Sequence, residues 1–457
     1  MSRTQVLRIR RPSGCHLAAL PLTLFLAACA TAEFTPPEPE LAESFAASAP
    51  ARQATAPWWS SFRDSRLDGL IAQGLARNLS IQEAVAMIDE AEAGARLVRA
   101  ADLPTVQASG AATRGDLQGT GITESSSATL ATSWMLDIFG GNRAERAAAL
   151  AEFEAARLSA DASRRAVAAA IAGAYIDLRF HQESIALTRQ SIASRRETLA
   201  LTRSMQELGQ AGRLDVLQAE QAVAQAEAGL PALEIGFDQA LNQLATLTSS
   251  RSADLRPALQ RGGAQPVARF RPSVGVPAEV IRARPDIRIA ERQLAAAVAR
   301  VGVAEAAFWP SVSLSGSITP TNIRGGGNST TWALGPQINL PIFSGGANRA
   351  RLSAAESRAV QAELRWRSGV LTAIEEVENG LSAYGRGATN VEAQRRLERA
   401  AQETVSLARE SFQGGQSDFF TVLDAERNLL TARSALAAAI RDHAAAYVAL
   451  SIAAGAL

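Results

Sequence analysis

Ser311-Val312-Ser313-Leu314-Ser315-Gly316-Ser317-Ile318 alternates polar and apolar residues without a break, and Thr331-Trp332-Ala333-Leu334-Gly335-Pro336-Gln337-Ile338-Asn339-Leu340 does so again. A period of two puts Val312, Leu314 and Ile318 on one face of a strand, and Trp332, Leu334, Ile338 and Leu340 on one face of another. Earlier in the chain the signal occurs in Val106, Ala108, Gly110 and Ala112, then in Leu130, Trp134, Leu136 and Ile138. Gly/Ser/Thr-rich loops, Arg114–Ser127 and Pro320–Thr330, join the members of each pair. Strands of about ten residues with one apolar face suit a membrane β-barrel, and also a soluble hairpin on a sheet. Four strands cannot close a membrane barrel, which needs about eight. An open edge in hydrocarbon leaves backbone groups unpaired, at several kcal/mol each. The membrane reading therefore requires a barrel shared between chains. Two copies would give a plugged barrel of about eight strands; three give about twelve and room for a lumen.

The flanks of each strand pair read as helix. An interior proline costs a helix about 3 kcal/mol, and none of the 18 prolines lies between Pro104 and Pro231 or after Pro341. Those stretches are rich in Ala, Leu, Glu, Gln and Arg, all good helix formers. The pattern predicts helices at Ser80–Ala101, Asn142–Glu207 and Leu214–Leu247, then at Asp286–Ala307, Asn348–Phe412 and Phe419–Leu450. A continuous Asn142–Glu207 helix would be ~100 Å long at ~1.5 Å per residue, which no compact globule holds. It implies a coiled-coil shaft. Ala-rich seams such as Ala295-Ala296-Ala297 and Ala437-Ala438-Ala439 would let neighbouring helices pack closely.

The chain is one unit written twice. A shift of 206 residues aligns Ala84 with Ala290, Pro104 with Pro310, Ser109-Gly110 with Ser315-Gly316, Arg203 with Arg409, and Ala219-Glu220 with Ala425-Glu426. A register held over such a distance marks a tandem duplication. The units are read as residues 67–248 and 285–457, each a helix, a β-hairpin and a long helical hairpin. A Pro-, Gly- and Arg-rich connector, 249–284, joins them.

The N-terminus carries a secretory signal, residues 1–28. Arg3, Arg8, Arg10 and Arg11 precede an apolar run, Leu17 to Ala28, that is too short to span a bilayer. It ends in Leu26-Ala27-Ala28-Cys29, which resembles a lipobox and makes Cys29 the expected lipid-attachment residue. Residues 29–66 read as a lipidated tether, Pro-rich from Thr35 to Pro57 and carrying Trp58-Trp59, which are expected to pack against the mid-shaft. Trp134, Trp309 and Trp332 near strand ends suit an interfacial aromatic belt. No transmembrane helix is expected after the signal.

Composition excludes several functions. Across 457 residues the formal net charge is +1, so nothing favours a nucleic-acid partner. The cysteines are Cys15 and Cys29, leaving no thiol for a disulfide, zinc site or nucleophile in the body of the chain. His16, His181 and His443 stand apart, without metal-ligand or catalytic spacing, so no metal, cofactor or enzymatic activity is expected.

Ser411-Phe412-Gln413-Gly414-Gly415-Gln416-Ser417-Asp418-Phe419-Phe420-Thr421-Val422-Leu423-Asp424-Ala425-Glu426-Arg427 has an aromatic, a Gly turn and an apolar stretch ending in Leu-Asp-Ala. With the lipobox and the doubled unit, it resembles the TolC-like outer-membrane factors, in the lipidated NodT-type branch serving tripartite RND efflux pumps. The resemblance implies a homotrimer: a twelve-stranded barrel continued by a helical barrel. It implies a passive exit duct, lipid-anchored in the outer membrane and reaching into the periplasm, that meets a periplasmic adaptor and an inner-membrane pump. Gly209, Gly212, Gly414 and Gly415 would form adaptor-facing tip turns, where glycine permits a positive φ. Phe420, Asp424 and Arg427, at i, i+4 and i+7 on one stripe, match the family's aperture positions. By spacing alone Asp424 and Arg427 are equally a solvated intrahelical pair. Their first-unit counterparts are the uncharged Leu214, Gln218 and Gln221. Two other readings stay open: a duct for type I protein secretion, and a periplasmic spacer lipoprotein without a pore.

Overall fold

A computed structural model describes residues 57–116, 122–269 and 277–455. The signal, Cys29 and the Pro-rich tether up to residue 56 lie outside them, as do residues 117–121 of the first hairpin loop. After a 3-10 turn at Trp58–Phe62 come α1 (Ser65–Arg77), α2 (Leu79–Ala100), β1 (Thr105–Asp116), β2 (Ile122–Leu136), α3 (Gly141–Glu207) and α4 (Arg213–Leu247). The connector holds α5 (Ser252–Leu259) and α6 (Pro277–Ala283). The second half continues with α7 (Pro285–Ala306), β3 (Ser311–Ile323), β4 (Gly327–Asn339), α8 (Ala347–Gln413) and α9 (Phe419–Ala453). The shift of 206 carries α2, α3 and α4 onto α7, α8 and α9 end for end.

The strands form one antiparallel sheet in the order β1-β2-β3-β4, which leaves β1 and β4 as edges. Ala108, Leu130, Ile318 and Trp332 stand in one row across it, as do Gly110 and Ala128 nearby, so the apolar residues share a face. Gln107, Ala131, Ser317 and Ala333 occupy the opposite face. The strands run beyond the expected ends. Arg114 pairs with Glu124 inside the stretch read as a loop, Ser125 of that stretch pairs with Thr113 just before it, and the second loop shrinks to Arg324-Gly325-Gly326. Ser and Thr suggest turns, yet Thr is β-branched and their hydroxyls bond across the ladder, as Thr113 and Ser125 do at 2.8 Å. At the other end β2 stops at Leu136, because Asp137 instead accepts from the Asn142 and Arg143 amides that open α3 (3.1 and 2.8 Å).

α3 and α8 have 67 residues each and form the shaft. Near the sheet α2, α3, α7 and α8 pack in that order; further away α3 packs on α4 and α9, and α8 on α9. The seams are small: Ala148 and Ala151 meet Ala296, and Ala355 and Ala359 meet Val301. Burying Ala on both sides brings backbones close and secures contact along a great length rather than a thick core. α9 is long and apolar enough to cross a membrane, but it packs along α8 and its apolarity owes much to such alanines.

One larger core sits at mid-shaft, where Leu67, Ile71, Ile171, Tyr175, Leu178, Leu241, Leu244 and Tyr447 are buried together. Trp58 and Phe62 enter it, as expected of the tryptophan pair, and the Tyr447 hydroxyl donates to the Trp58 carbonyl (3.1 Å). Tyr175 donates to Asp64 (2.6 Å), whose carboxylate also caps α1 by accepting from the Arg66 and Leu67 amides. That cap explains why helix begins at Ser65, within the segment read as tether. The connector is likewise more helical than its composition suggested.

At this level the two helical hairpins differ in an ordered way. His181 of α3 covers Gly236 of α4, where a Cβ would come within 2.3 Å of the imidazole. In the second half the glycine, Gly387, is on the long helix and His443, on α9, covers it at 3.1 Å. Each imidazole has a buried Nδ1 without a partner. Burial pulls both below the ordinary histidine pKa; Asp177 opposes and Arg441 adds to this at His181, and the Tyr384 backbone opposes it at His443.

Candidate functional site

The ends of the helical hairpins, farthest from the sheet, collect the residues singled out above. Each turn closes by the same bonds: Gln210 N–H to Met205 O and Gln416 N–H to Ser411 O, both 2.8 Å. Such a closure needs one left-handed residue, and Gly209 (φ 72°) and Gly415 (φ 70°) supply it. Gly212 and Gly414 do not share that role, since their φ values are −83° and −79°. Gly212 caps α4, its N–H donating to Asp215 (2.8 Å). In α9 the corresponding cap is Asp418, which accepts from the Thr421 amide (3.0 Å). The Thr421 hydroxyl and amide together hold the Asp418 carboxyl below its ordinary pKa.

Beyond the cap, Phe420 is 61 % exposed and Arg427 projects to solvent. Within one chain Arg427 donates to Asp424, three residues back on the same helix, and Asn428 Nδ2 donates to the other carboxylate oxygen (2.9 Å). The Asp424–Arg427 pair is therefore intrahelical in the single chain. Leu214 and Gln221 are exposed and Gln218 half-buried at the corresponding places of α4.

Next to Arg427, on the covered side of α9, lies a polar group that the sequence reading did not place in the site. Glu426 is 6 % exposed and accepts from Arg409 Nη2 (2.6 Å) and the Thr198 hydroxyl (2.9 Å). One carboxylate thus joins α8, α9 and α3. Arg195 lies beside it and donates to the Ala222 carbonyl (2.7 Å); burial lowers its pKa, while Glu426 opposes that shift. Apolar contacts among Ala219, Val405, Phe412, Phe419 and Val422 surround the cluster. A signal existed: Arg203 and Glu220 recur as Arg409 and Glu426 at the repeat shift, and Arg203 does donate to Glu220 (2.7 Å).

The tip can hold a shape and present charge. Among the described residues no group of three or more His, Cys, Asp or Glu side chains stands together to hold a metal.

The outer membrane efflux protein family matches residues 70–250 and 276–456, one match per repeat. The chain is 39 % identical over 407 residues to nodulation protein T of Rhizobium leguminosarum bv. trifolii, covering 87 % of each protein. It is 32 % identical over 443 residues to the outer membrane protein OprJ of Pseudomonas aeruginosa, covering 92 % of this chain and 91 % of that one. The open-state crystal structure of the MtrE outer membrane channel of Neisseria gonorrhoeae superposes with a TM-score of 0.84 at 30 % identity, covering 93 % and 97 %. With two free strand edges, a shaft of paired long helices and these likenesses, the chain belongs to the outer membrane efflux protein family, non-enzymatic channel components of efflux pumps.

Proposed function

We propose that three copies of this chain form a passive exit duct for small molecules, anchored by a lipid on Cys29 and gated at its periplasmic tip. The observation that carries the reading is the four-stranded sheet with β1 and β4 unpaired and its apolar face exposed. Hydrocarbon tolerates no open edge, so β4 of one copy pairs with β1 of the next until the ring closes. The tip turns around Gly209 and Gly415 then crown the far end, where a periplasmic adaptor docks and links the duct to an inner-membrane pump of the RND type. Energy and substrate choice reside in that pump.

At the three-fold axis three copies of Phe420, Asp424 and Arg427 converge, with Leu214, Gln218 and Gln221 flanking them uncharged. A ring of Asp424 carboxylates attracts cations, and Arg427 exchanges its intrahelical bond for one to a neighbouring chain as the aperture shuts. The open state captured in the MtrE structure supports a tip with more than one diameter. Light scattering of the protein in detergent tests the assembly: three protomers are expected, and a stable monomer with its strands intact overturns the reading. Co-purification from the native membrane tests the partners; recovery without an adaptor or pump removes that part.

A further inference from the structure

The sheet contains two hairpins in the same register. Thr105↔Ser133 and Thr113↔Ser125 of the first recur, at the repeat shift, as Ser311↔Asn339 and Thr319↔Thr331 of the second. Between the hairpins β2 and β3 form a seam, in which Leu130 faces Ile318, Ala131 faces Ser317 and Ser133 faces Ser315. β4 is the repeat equivalent of β2, and β3 that of β1. The internal seam is therefore the pattern for β4 against β1 of a second copy, and both of those edges are open.

A proline stands in each seam. The β2–β3 ladder lapses at Ala128-Thr129 against Thr319-Pro320 and resumes on both sides, because Pro320 has no N–H to give to β2. The Thr129 and Thr319 hydroxyls, 3.0 Å apart, bridge the gap. On its other side Pro320 leaves the ladder to β4 intact. Pro336 behaves likewise: the β3–β4 ladder runs through it unbroken, so its donorless side is turned to the open edge of β4. A proline at an edge ordinarily discourages pairing. Inside this chain, however, a seam that carries Pro320 holds, so Pro336 is no bar to a second one.

We propose that β4 docks on β1 of a second copy in the register of the internal seam, with Pro336 facing Ala112, Gln337 facing Ala111, Ile338 facing Gly110 and Asn339 facing Ser109. The inference rests on the shared-barrel reading above and adds to it the alignment of the copies. The side chains fit this register. Gly110 leaves room in the apolar face, since a Cβ there would meet nothing nearer than the Ser127 carbonyl at 3.8 Å. Ile338, 68 % exposed on the opposite edge, takes up that room. Gly316, the repeat equivalent of Gly110, already receives a large neighbour in this way: the Leu334 side chain lies 2.9 Å from where its Cβ would stand.

The register also sets the tilt. A walk across the sheet from Thr105 leads to Ser133, Ser315 and Gly335, and then across the proposed seam to Thr113 of the next copy. From Thr105 to Thr113 is an advance of eight residues per copy, or about 24 around three copies. With strands ~4.8 Å apart and ~3.3 Å of rise per residue, about twelve strands then tilt by roughly 55°. Membrane strands ordinarily have about 9–11 residues tilted by ~45°, whereas these have 12 to 15. At the steeper tilt the 13 residues of β3 rise ~25 Å, the height of an apolar membrane band. Long strands and a large stagger account for each other.

The test uses the full-length lipoprotein in detergent, with the unsubstituted protein as its blank. β1 and β4 of one chain are three strand spacings apart, ~14 Å, too far for a disulfide, so a bond between them joins two copies. The ladder bonds of the seam belong to the alternate residues that include Pro320. Pairs from the other set come closer, with ~4.5 Å between Cα atoms. Two such pairs are Gln337→Cys with Ala111→Cys, and Asn339→Cys with Ser109→Cys. Under mild oxidation both are expected to give covalently closed trimers on a non-reducing denaturing gel. Gln337→Cys with Ser109→Cys and Asn339→Cys with Ala111→Cys, each two residues out of step, should give less than about a tenth as much. Trimers by light scattering that link only through an out-of-step pair, or through none of the four, overturn the register and leave the shared barrel standing. A monomer by light scattering overturns both.

Discussion

Arg409 donates to Glu426 across the turn between α8 and α9, at 2.6 Å, and their repeat equivalents Arg203 and Glu220 make the same bond at 2.7 Å. Only the surroundings differ. Glu220 faces solvent, whereas Glu426 is covered by α3 and takes a further bond from Thr198. An identical pair can therefore carry different weight in the two halves, because an exposed pair is screened and a covered one is not.

Glu426→Ala should cost about 1–3 kcal/mol, since it leaves Arg409 and Thr198 with unsatisfied donors in a covered place. Glu220→Ala should cost about 0–1 kcal/mol. Thermal unfolding and proteolysis at the tip turns measure the contrast; equal losses would show that the cover from α3 is immaterial.

The glycines separate as sharply. Gly415→Ala forces a side chain into a left-handed backbone and should destabilise the turn by about 1 kcal/mol. Gly414→Ala, at a helical φ, should be neutral or stabilise slightly. A chemical-denaturation series on both variants decides, and a larger loss at Gly414 would contradict the turn geometry.

Acid should loosen mid-shaft. Burial lowers the pKa of His181 and His443 in the fold, so as pH falls below about 6.5 the unfolded chain takes up protons first and stability drops. Above about pH 7 both states are neutral and the contribution is flat. Melting temperatures from pH 8 to 5 should show the decline, and His181→Gln with His443→Gln should flatten it. An unchanged slope in the double variant would assign the acid response elsewhere.

In the proposed trimeric aperture, Asp424→Ala would leave three arginines and Arg427→Ala three carboxylates around one axis, so either should raise single-channel conductance in planar bilayers. Asp424→Ala should also weaken block by divalent cations. Wild-type conductance in both variants would reduce the pair to the intrahelical contact seen in one chain.

Lipidation at Cys29 has a direct assay. Globomycin should make the uncleaved precursor accumulate, and Cys29→Ser should abolish the anchor. Unaltered processing in the drug's presence would exclude the lipobox.

Strand alternation and helix-forming composition made the doubled architecture legible, since periods of two and of 3.6 are written in each residue's polarity. Element ends were less so. Asp64 caps a helix by accepting two amides, and no periodicity announces a cap made from the edge of a core it joins through Tyr175. At the tip, helix periodicity puts Phe420, Asp424 and Arg427 on one stripe of α9, but only the resemblance singled that stripe out. Glu426 was not, because its burial depends on Thr198, which is 228 residues away in the chain. Single-helix patterns survive in sequence; three-helix junctions do not.

The histidine–glycine contacts carry a lesson about how the two halves diverged. At the repeat shift His181 becomes Gly387, whereas Gly236 becomes Asp442 and His443 answers to Phe237, so the imidazole has passed from the long helix to the short one and moved by one position along it. Each half nonetheless sets one imidazole over one glycine of the facing helix. Each long helix therefore fits its own short helix and mismatches the other. With α9 in the place of α4, Asp442 would stand where Gly236 leaves room for His181, and a Cβ there comes within 2.3 Å of the imidazole. The halves have become parts that cannot trade helices, and a chimera that mixed them would meet a steric fault at mid-shaft.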